Sequence, residues 1–180
     1  MALRVIVVNG GSSSGKTSIV RQMQDMLAEP WLAMSVDDFV DALPPALQQS
    51  PDGFDVTPDG AVQIGAVFTC LETAWMAGVA ATARAGAPVI VDDVFLSAAV
   101  SQARWRTALS GLAVAWVGVH CDGAIAHERE ASRPNRDAGM AALQARQVHQ
   151  DVVYDVQVDT SRTSARQCAQ AIVTNLGLAQ

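Results

Sequence analysis

Apolar residues along this chain follow two alternating rhythms. Leu3 to Val8, Trp31 to Val36, Pro88 to Val91, Ala113 to Val119 and Val153 to Val158 are near-continuous apolar runs. Strands buried on both faces of a parallel sheet read this way. Between them, apolar residues recur at steps of three and four, the period of an amphipathic helix. Lys16 to Leu27 carries Ile19, Val20, Met23 and Leu27 on one side. The longest helical signal runs from Val62 to about Ala85, with Ile64, Phe68, Leu71, Trp75 and Val79 in one stripe and Gly86 closing it. Shorter helices are predicted from Asp37 toward Leu43, and over Gln102 to Leu109, Ile125 to Ser132, Ala138 to Gln150 and Ser164 to Leu176. Gln48 to Gly60, with Pro51, Gly53, Pro58 and Gly60, is predicted loop. Strands alternating with helices imply one α/β domain over residues 1–180: five parallel strands with helices on both faces.

Composition agrees and narrows the function. The chain has 180 residues, 50% hydrophobic and 17% charged, which is globular and not disordered. Its net charge of −6 and lack of basic clusters argue against nucleic acid or an anionic membrane surface as partner. The run Val5 to Val8 is too short for a signal-peptide core or a membrane span, so the protein is expected in the cytoplasm. Cys70, Cys121 and Cys168 are widely spaced with no C-x-x-C, and read as buried free thiols. His120, His127 and His149 do not cluster in sequence and read as structural or surface residues. Trp31, Trp75, Trp105 and Trp116 read as core, with Trp75 an alternative pocket residue.

The strongest chemical signal follows the first strand. Gly10-Gly11-Ser12-Ser13-Ser14-Gly15-Lys16-Thr17 fits G-x-x-x-x-G-K-[ST], and Ser18 continues into the helix. Glycines let backbone N–H groups turn toward an anion, and the helix adds its positive end. Lys16 is placed for the β- and γ-phosphates of ATP, and the Thr17 hydroxyl for Mg2+. Asp92 ends the strand Pro88 to Val91, the usual position of a carboxylate that holds magnesium through water; Asp93 is adjacent and could substitute, and either could instead cap a turn. Asp37 likewise follows a strand. It could take a proton from an acceptor hydroxyl, or Asp37 or Asp38 could cap the next helix. Arg129, Arg133 and Arg136 gather beside the break Pro134-Asn135, suiting a lid over about 122–140 that neutralises charge on a transferring phosphoryl group; a solvated face is the alternative. No Asn-Lys-x-Asp sequence occurs, and no Asp-x-x-Gly switch follows the second buried strand, which disfavours a regulatory GTPase.

The chain resembles the chloramphenicol phosphotransferase family, small P-loop kinases related to shikimate and nucleoside monophosphate kinases. The resemblance rests on Asn9-Gly10-Gly11-Ser12-Ser13 through Arg21, Glu29-Pro30-Trp31-Leu32-Ala33 with Val36-Asp37, and Ala83-Arg84-Ala85-Gly86-Ala87. It continues through Ile90-Val91-Asp92-Asp93-Val94-Phe95-Leu96, Arg104-Trp105-Arg106, Trp116-Val117-Gly118-Val119, Cys121-Asp122-Gly123-Ala124, Ala138 to Ala142, and Tyr154-Asp155-Val156 with Val158-Asp159-Thr160. It implies ATP-dependent phosphorylation of the primary C3 hydroxyl of chloramphenicol, with Asp37 as catalytic base. The stretch 48–62 matches least and is expected to help shape the acceptor pocket. A kinase of another small hydroxyl compound, such as a sugar acid, and a nucleotide-binding regulator remain the alternatives.

Overall fold

The five apolar runs pair side by side. A computed structural model of the chain describes residues 2–48, 50–57, 61–132 and 140–179. The strands β1 (Val5–Asn9), β2 (Leu32–Ser35), β5 (Val89–Asp93), β6 (Val114–His120) and β7 (Val156–Asp159) form one parallel sheet in the order β2-β5-β1-β6-β7. Every residue of β1 and β5 is buried, as the unbroken apolar runs require. Alternation along the strands feeds two cores. Ile6, Val8, Ile90, Val117 and Val119 face Ile19 and Met23 of α1 (Lys16–Met26) and Ile172 of α7 (Ala165–Asn175). Val5, Val7, Val89, Val91 and Trp116 face Met76 and Val79 of α3 (Ala66–Arg84) and Trp105 of α4 (Ala99–Ala108). Each such fully buried Val or Ile contributes about 1.5–3 kcal/mol over leaving it exposed.

Two sequence expectations are corrected here. The predicted loop and the start of the predicted long helix instead form a hairpin, β3 (Phe54–Val56) paired antiparallel with β4 (Val62–Ile64). The helix begins four residues late because Gly65 is extended (φ −85°, ψ 171°). Its N–H donates to the Gly53 carbonyl at 2.7 Å, while the Asp52 carbonyl accepts from Val67 and Phe68 and caps the first turn. The apolar stripe is also rotated. Leu71 is 37% exposed, and the buried face is Phe68, Glu72, Met76, Val79, Ala80 and Ala83. Alanines, not the largest side chains, allow the helix to approach the sheet. By length and composition α3 is the one described helix able to cross a membrane, yet it packs on this sheet and carries buried Glu72.

Three remaining helices border the carboxyl ends of the strands: α2 (Val36–Asp41), α5 (Gly123–Ala131) and α6 (Met140–Gln147). Val36, expected to close β2, opens α2 instead. Arg133 and Arg136, with residues 133–139 of the expected lid, lie outside the described residues.

Candidate active site

The loop between β1 and α1 has the conformation its residues predict. Ser13 (φ 56°) and Gly15 (φ 90°) adopt the left-handed region, which makes successive amides concave toward an anion. Gly10 has a steric reason: a Cβ there would sit 2.5 Å from the Val119 carbonyl oxygen. The hydroxyls of Ser13 and Ser14 are buried without hydrogen-bond partners in the protein. Buried polar groups are seldom left so, and a phosphate-bearing ligand would satisfy them. Two residues given no role from the sequence hold the loop. The Asn9 amide donates to the Val148 carbonyl (2.8 Å) and to the Tyr154 hydroxyl (2.6 Å), and its oxygen accepts from the Phe95 N–H (2.9 Å). Gln144 of α6 accepts from the Ser12 N–H at 2.8 Å. Both contacts span more than 80 residues of chain, so no local pattern announces them.

Lys16 is nearly buried; its Nζ donates to the Gly11 carbonyl at 3.0 Å and lies 3.9 Å from Asp92 Oδ1. The Thr17 hydroxyl donates to Asp92 Oδ2 at 2.8 Å. A Thr hydroxyl and a carboxylate oxygen at this spacing, beside a phosphate cradle, are hard oxygen donors fitting Mg2+. Burial pushes the Asp92 carboxyl up from its ordinary value; Lys16 and the Thr17 hydroxyl pull it down, while Asp37 and Asp38 add like charge.

Asp93 is committed elsewhere. Its oxygens accept from the Val94 N–H at 2.6 Å and the Trp105 indole N–H at 2.5 Å, and burial pushes its carboxyl to about 6. That occupancy leaves Asp92 as the acid beside Thr17. Trp105→Phe removes the indole donor from a fully buried acid, and is expected to lower unfolding free energy by about 1–3 kcal/mol for the unsatisfied group alone. Chemical denaturation of the variant against wild type checks this.

Helix α2 is capped by Ser35, whose hydroxyl accepts from the Asp37 N–H at 3.1 Å, and Asp38 closes the box on the Ser35 N–H. The capping alternative therefore falls to Ser35 and Asp38. Asp37 borders two spaces. One, of about 50 Å³, is walled by Ser13, Gly15, Lys16, Thr17 and Asp92. The other, of about 360 Å³, is lined by apolar Val36, Val40, Phe54, Val62, Ile64 and Phe68 together with Glu72, Asp93, Arg104, Glu130 and Gln144. Small-ligand sites have this size and this mixture of apolar wall and few polar groups. Phe54 and Val62 bring the expected 48–62 stretch into the cavity. Trp75 does not line it; the ring stacks on Phe39 (centroids 5.5 Å) and meets Trp105 edge-on.

Arg129 sits on α5 but reaches back to the strand ends. It donates to the Thr160 carbonyl at 2.8 Å and hydroxyl at 3.1 Å, and Thr160 Oγ1 donates to the Ser14 carbonyl at 2.7 Å. It thus braces the phosphate loop. Cys121 and Cys168 are buried, but Cys70 is exposed, against the expectation. Two histidines do meet: the rings of His120 and His149 lie 4.0 Å apart, brought together by the strand end and the turn after α6. Burial, and then His120, push His149 down to about 4. The unfolded chain gains this proton near pH 6.5 and the folded one only near 4. Stability from neutral His149 is therefore present above about pH 6.5 and lost as pH falls through 4. His149→Gln should narrow the drop in melting temperature between pH 7 and pH 4 relative to wild type. Asp93, which shifts the opposite way, is common to both proteins and cancels in the comparison.

Residues 3–177 match the family described as Chloramphenicol phosphotransferase-like protein. Two Mycobacterium tuberculosis proteins (strains CDC 1551 / Oshkosh and ATCC 25618 / H37Rv), provisionally named O-phosphotransferases, are each 31% identical over 181 aligned positions, covering 94% of this chain and 80% of theirs. Among solved structures, a sugar kinase from Janibacter sp. HTCC2649 superposes with a TM-score of 0.71 at 17% identity, covering 99% of this chain and 96% of that one. The APS kinase of M. tuberculosis, in complex with AMPPNP and APS, gives 0.64 at 14%, covering 97% and 98%. Shikimate kinase from Acinetobacter baumannii, in complex with shikimate, gives 0.57 at 14%, covering 96% and 92%. At such identities the likeness is one of fold, and the fold is that of the P-loop kinases.

Proposed function

Because the chain belongs to the chloramphenicol phosphotransferase-like family, and so to the small-molecule phosphotransferases, we propose that it transfers the γ-phosphoryl group of ATP to the primary C3 hydroxyl of chloramphenicol, with Asp37 as general base. One observation carries this reading: Asp37 lies in the wall shared by the phosphate-loop space and the larger, half-apolar cavity. A group that takes a proton from the acceptor while it attacks a phosphoryl group must stand at such a junction.

Bound ATP and magnesium supply the phosphoryl group and part of its charge neutralisation. The protein's own residues then divide the rest. The amides of residues 10–15, the hydroxyls of Ser13 and Ser14, and Lys16 with Thr17 and Ser18 bind the phosphates. Thr17 and Asp92 would hold the metal. Phe54, Phe68 and the valines of the cavity orient an acceptor of apolar body and exclude water from the transfer. The Asp37 carboxylate holds the acceptor proton. Arg133 and Arg136, from the lid segment, neutralise charge that develops during transfer. The reaction is expected in the cytoplasm, where ATP is supplied.

The test is ADP release measured with ATP and Mg2+, with and without chloramphenicol and a panel of small alcohols. Acceptor-dependent release, with a product carrying one added phosphoryl group, supports the reading. Release that is the same with and without every acceptor returns the protein to a hydrolase or switch.

A further inference from the structure

Within the cavity wall, Glu72 of α3 and Arg104 of α4 form an ion pair, although 32 residues separate them in the chain. The acid is the more buried partner: the side chains of Glu72 and Arg104 are 11% and 31% exposed. The guanidinium is held further by the Thr73 hydroxyl at 3.1 Å and the Thr69 carbonyl at 3.4 Å, both on α3. Among the described residues, the charged groups of the wall are Asp37, Glu72, Asp93 and Glu130 against Arg104 alone. An arginine is the side chain best suited to a carboxylate or phosphate, through two parallel N–H groups. Here that cation is already turned to a carboxylate of its own wall.

We propose that Glu72 determines acceptor class: paired with Arg104, it sets the cavity to take uncharged or amine-bearing hydroxyl compounds and to reject those bearing a carboxylate or phosphate. The proposal rests on the reading of this cavity as the acceptor site of a kinase, and it adds to that reading a rule of charge and the residue that enforces it. An anionic acceptor entering the wild-type cavity meets an arginine already turned to Glu72, beside further acidic side chains, in a space where like charges repel more than in water. Removing the Glu72 charge reverses this, because Arg104 then faces the cavity without a fixed counter-ion. Removing the Arg104 charge instead leaves Glu72 unpaired and makes the wall more hostile to anions and more welcoming to amines.

Calorimetric binding of shikimate and gluconate, as carboxylate-bearing probe alcohols, to wild type, Glu72→Gln and Arg104→Gln tests this without requiring turnover. Glu72→Gln is expected to bind the carboxylates about tenfold or more tightly than wild type, the gain of one charge-assisted pair. The double variant Glu72→Gln with Arg104→Gln should lose that gain, which a merely structural effect of the first substitution would not predict. Should buried Glu72→Gln fold poorly, Arg104→Gln must still lower the kcat/KM ratio of anionic to neutral acceptors. Wild type binding carboxylates as well as Glu72→Gln does, or an unchanged ratio in Arg104→Gln, overturns the proposal. Absence of chloramphenicol turnover alongside the expected binding gain contradicts the proposed acceptor and leaves the charge rule standing.

Discussion

Asp37→Asn is expected to lower kcat by roughly 10²–10⁴-fold, the range typical of losing a general base, while nucleotide binding persists. Asparagine keeps the size and hydrogen-bonding capacity of aspartate but cannot accept a proton as a carboxylate does. The capping box of α2 should survive, because Ser35 and Asp38 form it and Asp37 contributes its backbone N–H. The substitution also removes one of the like charges that raise the Asp92 carboxyl, so Asp92 moves down toward its ordinary value. A loss of activity through collapse of the site is thus separable from a loss through chemistry. Nucleotide titration and a melting curve on the variant report the first, single-turnover transfer the second. Near-normal transfer by a folded Asp37→Asn protein would falsify the base assignment.

Lys16→Ala should cost roughly 10²–10³-fold in kcat, the scale for removing one preorganised charge or donor from developing phosphoryl charge. Its effect is wider than that of Asp37. Lys16 Nζ holds the Gly11 carbonyl and stands beside buried Asp92, so its loss also raises the Asp92 carboxyl further and weakens the Thr17–Asp92 pair as a metal site. Nucleotide affinity is therefore expected to fall together with kcat, whereas Asp37→Asn spares it. Steady-state kinetics over ATP concentration distinguish the two patterns. Activity within about threefold of wild type, less than ~1 kcal/mol of barrier, would remove Lys16 from the mechanism.

Much of the architecture was legible because parallel strands leave an unambiguous mark. All five apolar runs became strands of one sheet: β1 and β5 are buried along their whole length, whereas the edge strands β2 and β7 kept an apolar run while partly exposed. The phosphate loop was legible for a different reason: its spacing is imposed by backbone geometry at Gly10 and Gly15, not by packing. The hairpin was not. Val62 and Ile64 continue the apolar steps of α3, and only Gly65 marks the break. The buried face of α3 was misjudged because size was taken for burial; Ala80 and Ala83 face the sheet, and Leu71 faces out. Within the site, Lys16, Thr17, Asp92 and Asp37 were found in sequence and stand around one phosphate-sized space. Gln144, Asn9 and the Glu72–Arg104 pair were missed, as their partners lie far away along the chain. Glu72 did leave a trace: it is the one charged residue of α3 before Arg84, in a stretch otherwise apolar or small.

The most direct measurement of the central claim is mass analysis of chloramphenicol after incubation with the protein, ATP and Mg2+, run beside an analogue blocked at the C3 hydroxyl. Phosphoryl transfer from this site predicts that chloramphenicol gains one phosphoryl group at C3, with ADP formed in step, and that the blocked analogue gains none. ADP formation unaffected by chloramphenicol, with both compounds recovered unchanged, would contradict it.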